Sequence, residues 1–365
     1  MPLTVAVPVE QYWHRVPGGT ARATASTVAE LGRRPDLTVR AVAAWHGRRN
    51  REPAVTHGGP VTYVPLPRPL LYESWLRLSW PPIERITGPV DVVWAASMIV
   101  PPTRAPVVAT VHDLDFLDHP ERLSARGRTF FPRAWAVVAS DAALVACPSQ
   151  AVADACAARG IGRDRLRVVP WGVGPPISPP ADDGAAARRR HDLPSRFVLW
   201  VGTLEPRKNV DRLVEAMTQI PDVALAMVGP GGWGLDGDAV VAPLGRRARR
   251  LGRVTDAELS ALYRAADVVV LPSLHEGFGL PVLEAMAHGT PVVTSRGGAT
   301  EEVAGGAARL VDPRDPASIA AAIHAALTEE TLTAELVARG LRNAANATWA
   351  ATAAGYAALF DDVAA

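Results

Sequence analysis

The sequence predicts an α/β protein made of two doubly wound, Rossmann-like domains, and three observations carry that expectation. Short apolar runs of strand length, such as Phe197-Val-Leu-Trp-Val201 and Asp267-Val-Val-Val-Leu271, alternate with helical patterns along the chain. Phe197–Val201 and Val268–Leu271 are apolar at every position, as in parallel strands covered on both faces. A stretch rich in Pro, Gly and charge, Gly174 to Pro194, interrupts the alternation near its middle. At 365 residues, 48% of them hydrophobic, the chain is long enough for two cores. The expected domains are 1–174 and 175–345, with a last helix, 346–365, crossing back onto the first.

Composition excludes several classes. The formal net charge of +1 argues against a nucleic-acid binder. Cys147 and Cys156 match no metal or redox spacing and read as free buried thiols. No basic n-region opens the chain, and no apolar run approaches the length of a membrane span. The expectation is a cytoplasmic protein.

In the first half, Thr4 to Val9 reads as a strand. A loop with Gly18 and Gly19 and a helix from Thr20 to Leu31 follow, a combination that cradles anions. Leu37–Ala44 and Val61–Pro65 are further strands. The aromatic segment Leu70–Trp80 reads as a helix packed on the sheet, with an acceptor-facing or membrane-surface helix as the alternative. Arg33, Arg34, Arg48, Arg49 and Arg51 read as solvated charge. Asp91–Trp94 and Pro106–Asp113 are strands, and the second ends in His112 and Asp113. A long helix (Ser124–Ser140), a strand (Ala143–Pro148), a helix from Ser149 and the run Arg167–Val173 complete this half.

In the second half the strand Phe197–Val201 runs into Gly202-Thr-Leu-Glu-Pro-Arg-Lys-Asn209 and a helix, Val210–Ile220. Arg207 and Lys208 thus stand before a helix start, where cations reinforce phosphate binding. Val223–Val228 is a strand leading to the glycine turn Gly229–Trp233. The Arg-rich segment Val240–Val254 reads as a solvated helix edge, and Thr255-Asp-Ala-Glu258 as a capping box. The stretch Pro272–Gly289 then joins Asp267–Leu271 to the strand Pro291–Ser295. Pro281 suits a first helical position and Gly289 a stop. Gly277 and Gly279 let the backbone approach a ligand. Glu276 in the loop and Glu284, expected in the first helical turn, suit sugar or ribose hydroxyls, and both can face one crevice at the carboxyl end of the sheet.

The string Glu276-Gly-Phe-Gly-Leu-Pro with Glu284-Ala-Met-Ala-His-Gly-Thr-Pro-Val-Val293 resembles the E-x7-E signature of family 4 of the retaining glycosyltransferases, which have the GT-B fold. The resemblance implies two Rossmann-like domains facing across a cleft. It implies a nucleotide-diphosphate sugar as donor, held by the second domain. Lys208 aligns with the family's diphosphate lysine, and Arg207 adds a second cation. Thr203 stands where many members carry Arg. Gly18 and Gly19 would lie near the diphosphate, and Val254 would hold the base through its backbone. Gly277, Phe278, Gly279 and Leu280 would line the phosphates. Glu276 would hold sugar hydroxyls, Glu284 the ribose, and His112 the transferred sugar. Trp171 replaces the usual Asn of the family's Val-Pro-Asn-Gly-Val turn, and Thr348-Trp349 resembles its Ser-Trp landmark.

Implied with it are transfer of a hexose to an acceptor hydroxyl with retention, without metal or other cofactor. The acceptor would be a carbohydrate, a lipid-linked or a small molecule, in cell-envelope or polysaccharide synthesis, with peripheral contact at the inner membrane face as one setting. GDP-mannose is the first donor reading, followed by UDP-glucose and UDP-N-acetylglucosamine. A GT-B nucleotide-sugar epimerase or isomerase and a non-catalytic sugar-nucleotide-binding subunit are the alternatives.

Overall fold

The computed structural model describes residues 2–14, 18–47, 52–177, 184–232 and 234–365. The chain forms two compact units, Met1–Gly172 with Trp349–Ala365, and Val173–Thr348. Arg48, Arg49 and Arg51, the Pro179-Pro180 and Asp182-Asp183 parts of the connection, and Trp233 lie outside the described residues.

The N-terminal unit is built on seven strands: β1 Leu3–Pro8, β2 Leu37–Ala44, β3 Val61–Val64, β4 Val92–Ala95, β5 Val107–Thr110, β6 Leu144–Cys147 and β7 Leu166–Val168. Their order is β3-β2-β1-β4-β5-β6-β7, and every neighbouring pair is parallel. The order reverses at β1 and β4, the switch point of a doubly wound sheet. Side chains alternate between two cores, as the pleat requires. Ala6, Val42, Val93, Ala109 and Val145 enter one. Val7, Ala41, Trp94, Val108 and Ala146 enter the other, which the helix Trp349–Ala364 covers with Tyr356, Ala357 and Phe360. The Tyr356 hydroxyl lies 2.9 Å from Thr110 Oγ1, which also accepts from Trp94 Nε1 at 2.9 Å.

Two details differ from expectation. The first helix begins at Gly18, which takes φ +60°, so the glycine pair opens the helix instead of preceding it. The aromatic helix spans Arg68–Leu78; it buries Leu71 and Trp75 against the sheet, and Leu70, Leu78 and Trp80 are exposed. Cys147 and Cys156 are free and buried, their sulfurs 3.9 Å apart. Among the described residues no helix is long and apolar enough to cross a membrane.

The C-terminal unit carries β8 Phe197–Val201, β9 Ala224–Val228, β10 Ala248–Gly252, β11 Val268–Leu271, β12 Val292–Ser295 and β13 Arg309–Val311. Their order is β10-β9-β8-β11-β12-β13, again parallel, with the switch between β8 and β11. Val198, Trp200, Leu225, Val268, Val270 and Val293 pack one face against Leu213, Met217, Ile319 and Ile323.

The helix-edge reading of Val240–Val254 is corrected here. A short helix, Gly237–Val241, tightens into a 3-10 segment that Gly245 breaks with φ 52° and ψ −126°. Ala248–Gly252 is then an edge strand. Its arginines are fastened locally: Arg249 pairs with Asp192 at 3.0 Å and Arg250 with Asp238. Arg247, just before the strand, donates to the carbonyls of Met217, Ile220 and Val223. Charged side chains on an edge strand oppose pairing with another chain. The Thr255–Glu258 capping box forms as expected.

Candidate functional site

All six strands of the C-terminal unit run the same way, so the loops after β8, β9, β11 and β12 collect at one edge of the sheet. The loop after β8 is pinned to the next strand's turn: Gly202 N–H donates to Val228 at 2.9 Å and Leu204 N–H to Pro230 at 3.2 Å. A Cβ on Gly229, whose φ is +140°, would lie 1.8 Å from the Gly202 carbonyl oxygen, so only glycine fits there. Thr203 lies on this pinned loop. Residues Pro206–Lys208 form one 3-10 turn, and Asn209 follows in the left-handed region with φ 60°. Its buried amide nitrogen donates to the Pro272 and Pro313 carbonyls at 2.9 and 2.6 Å. Asn209 thereby ties the loop after β8 to those after β11 and β13.

That tie brings four charged groups together. Lys208 Nζ lies 2.5 Å from Glu276 Oε1, and Arg207 lies 2.8 Å from Glu276 Oε2. Arg207 also contacts Glu205 at 3.2 Å, and Ser273 Oγ donates to Glu276 Oε1 at 2.8 Å. Lys208, Glu205 and Glu276 are all nearly buried. Burial alone would raise the Glu276 carboxyl, but Lys208 and Arg207 outweigh it and bring its pKa down to about 2. Burial instead raises the Glu205 carboxyl, against the pull of Arg207 and Lys208. Glu205 and Ser273 were missed in the sequence. With Glu205 counted, two cations face two carboxylates, so the cluster carries no net positive charge.

Donor capacity is what remains. An ammonium has three N–H groups, and Glu276 takes one from Lys208. The helix Leu280–Ala287 begins beside this cluster in sequence and is capped by Gly279 at φ +103°. A Cβ on Gly279 would meet Thr300 Cγ2 at 2.8 Å, so the sharp entry again needs glycine. Pro281 has no N–H and Val282 N–H turns back to the Gly279 carbonyl at 2.9 Å. The donors this helix start presents to an anion are therefore Gly279 and Leu280 N–H. Gly277, Phe278 and Leu280 are buried in the entry.

Glu284 is the helix's fifth residue, and the first turn holds no acid, which corrects its expected placement. The helix starts at Leu280, one residue before the proline, so Glu284 falls in the second turn. Its Oε2 accepts from the Tyr263 hydroxyl at 2.8 Å. Tyr263 stacks on His288, whose ring reaches Ser260 Oγ at 2.7 Å and the Glu284 carbonyl at 2.6 Å. The two carboxylates thus belong to different hydrogen-bond clusters rather than sharing one. Val254 is half-buried between β10 and Thr255, the cap of the helix Asp256–Ala265 that carries Tyr263.

In the N-terminal unit His112 lies two residues past β5. Its Nε2 is 3.0 Å from the Ala96 carbonyl oxygen, and its ring stands edge-on to Trp171 with centroids 5.5 Å apart. Burial lowers its pKa, partly offset by the Ala96 hydrogen bond and by Asp113. Gly19 belongs to the same neighbourhood: a Cβ there would be 3.6 Å from the Trp171 ring. Among the described residues no cluster of three or more His, Cys, Asp or Glu is arranged to hold a metal.

Comparison with known proteins follows this division. Residues 17–175 match the model described as Glycosyltransferase Family 4, and residues 195–329 the model described as Glycosyl transferases group 1. O-antigen chain mannosyltransferase B of Escherichia coli is 39% identical over 161 residues, 42% of each chain. The D-inositol 3-phosphate glycosyltransferase of Corynebacterium glutamicum is 35% identical over 217 residues, 54% of this chain and 52% of that one. The chain thus spans about half the length of these curated relatives. Among solved structures, sucrose-phosphate synthase from Thermosynechococcus elongatus superposes with a TM-score of 0.75 at 23% identity, covering 99% of this chain and 98% of that one. Anabaena Alr3699/HepE in complex with UDP-glucose gives a TM-score of 0.75 at 21% identity, covering 99% and 100%. These two likenesses establish the fold.

Proposed function

We propose that this chain, which belongs to the glycosyltransferases of the GT-B fold, moves a hexose from a nucleotide-diphosphate sugar to an acceptor hydroxyl with retention. The observation that carries the reading is the Lys208–Glu276–Arg207–Glu205 ion-pair cluster at the carboxyl ends of β8 and β11, next in sequence to the helix start at Leu280.

The donor's diphosphate is taken by the two Lys208 N–H groups that Glu276 does not use and by the N–H groups of Gly279 and Leu280. As the bond from the anomeric carbon to the phosphate oxygen breaks, charge accumulates on that oxygen, and these donors stabilise it. Each preorganised donor contributes about 3–4 kcal/mol in such a site. Because that stabilisation comes from side chain and backbone, the reaction proceeds without a divalent metal. The acceptor oxygen bonds to the same face of the anomeric carbon, and its proton passes to the departing phosphate.

Glu276 does two jobs in this reading. Its Oε1 is filled by Lys208 and Ser273, whereas Oε2 has one hydrogen bond among the described residues, from Arg207, and retains a lone pair for a sugar hydroxyl. Glu284, oriented by Tyr263, takes the ribose. His112 contacts the transferred sugar. A mannosyl donor comes first, because the names of O-antigen chain mannosyltransferase B and serotype-specific mannosyltransferase WbdA favour it. A polyol or carbohydrate acceptor fits the D-inositol 3-phosphate glycosyltransferases.

A thermal-shift screen of GDP-mannose, UDP-glucose and UDP-N-acetylglucosamine, followed by product detection with and without acceptors, tests the reading. Ligand at about 100 times its Kd adds about 2.7 kcal/mol to stability, a readable shift. Product formed only with an acceptor present supports transfer, and conversion of the donor alone would point to an epimerase.

A further inference from the structure

The turn after β7 departs from the pattern this chain resembles, with Trp171 in place of Asn. The turn is held from two sides. Val169 N–H donates to the Cys147 carbonyl at 2.8 Å, and Thr352 Oγ1, on the last helix, donates to the Pro170 carbonyl at 2.9 Å. The Trp171 side chain is buried. One side of its ring meets His112, and another lies 3.6 Å from where a Cβ on Gly19 would be. The indole therefore fills the space between the start of the Gly18–Leu31 helix and the end of β5.

His112 is constrained in a second way. A carbonyl oxygen only accepts, so the nitrogen facing Ala96 carries the ring proton. Gln11 Nε2 donates to the same carbonyl at 3.4 Å and to Thr24 Oγ1 at 2.9 Å, which fixes that wall. In the neutral ring Nδ1 is then an acceptor, and it is buried without a partner among the described residues. A buried acceptor left unmade is costly, so the position favours an arriving hydroxyl donor.

We propose that Trp171 is the positioning residue for His112: it wedges between Gly19 and the imidazole, keeps Nε2 on the Ala96 carbonyl, and shields Nδ1 so that it accepts a hydrogen bond from a sugar hydroxyl. The inference rests on the sugar-contacting role proposed above for His112. It explains why a bulky residue is tolerated at this turn: Gly19 leaves room for it. A protonated His112 has an N–H at Nδ1 and cannot accept, so Trp171 also sets the acid limit of the reaction. Asp113 is the charged neighbour acting on the ring, and it opposes the shielding by favouring protonation.

The test is a nitrogen-15 NMR titration of His112 in the full chain without substrate, assigned by loss of the signal in His112→Gln. In Trp171→Asn, which admits water beside the ring, His112 is expected to titrate about one pH unit higher. The acid limb of the kcat/KM profile should move up with it, while donor KM changes little. Trp171→Phe, which keeps a ring edge, should stay near the wild type. Trp171→Leu keeps the space filled and replaces the Asn variant if that does not fold; it should shift the titration the same way by less. An unchanged titration in the folded Asn and Leu variants would overturn the proposal. If the titration moves but the wild-type chain transfers no sugar, the positioning stands and the functional reading fails instead.

Discussion

Lys208→Ala is the perturbation with the largest worked consequence. Lys208 is nearly buried, and its ammonium gives one N–H to Glu276 at 2.5 Å and two to the proposed diphosphate. Removing one preorganised donor to developing charge costs about 2.7–4 kcal/mol, or about a hundred- to a thousandfold in kcat. The same change strips Glu276 of the cation that lowers its carboxyl most, so that pKa should climb from about 2, with Arg207 still beside it. Breaking a buried pair costs about 3–5 kcal/mol against a total stability of about 5–15 kcal/mol, so the fold must be checked separately. Steady-state turnover at saturating donor, with a denaturation curve for the same sample, separates the two effects. The double variant Lys208→Met with Glu276→Gln removes both charges and should recover stability but not turnover. A folded Lys208→Ala enzyme whose kcat is within about threefold of wild type would refute the diphosphate assignment.

Other expectations follow from the same geometry. Glu284→Ala should weaken donor binding by about ten- to a hundredfold, the size of a hydrogen bond to a charged group, and Tyr263→Phe should act in the same direction by less. Titration calorimetry with unchanged donor affinity in Glu284→Ala would remove the ribose role. For pH, the native Glu276 carboxyl lies below its unfolded value, so its contribution is present in full above about pH 4.5 and is lost as pH falls through about 2. It amounts to about 3 kcal/mol, and denaturant titrations should show stability falling across that window. Stability rising on acidification there would contradict the ion-pair account. Transfer should persist in excess chelator; activity lost on chelation and restored by magnesium would show that Lys208 and the helix start do not suffice.

The sheets were the most legible part of the chain. Runs such as Phe197–Val201 are apolar at every position, and the structure makes that run β8 with identical bounds. β10 was not legible, because an edge strand of Ala-Arg-Arg-Leu-Gly has neither an apolar run nor an alternating one. Only pairing with β9 and the break at Gly245 make it a strand. In the site, Arg207, Lys208 and Glu276 stood out by motif, yet their mutual ion pairs did not, since the loops that carry them are separated by more than sixty residues. Glu205 is one residue from Pro206 and two from Arg207, and that spacing was the available signal for the missing carboxylate. Tyr263 carried none: its hydroxyl reaches Glu284 only because the helices Asp256–Ala265 and Leu280–Ala287 pack together.

The most direct measurement is a crystal structure of this chain grown with GDP, and in parallel with UDP. The account predicts electron density for a diphosphate with its outer phosphate within hydrogen-bond distance of Lys208 Nζ and of the Leu280 backbone N–H. A diphosphate bound elsewhere, with the Lys208 ammonium still committed to Glu276 and solvent at the helix start, would contradict it.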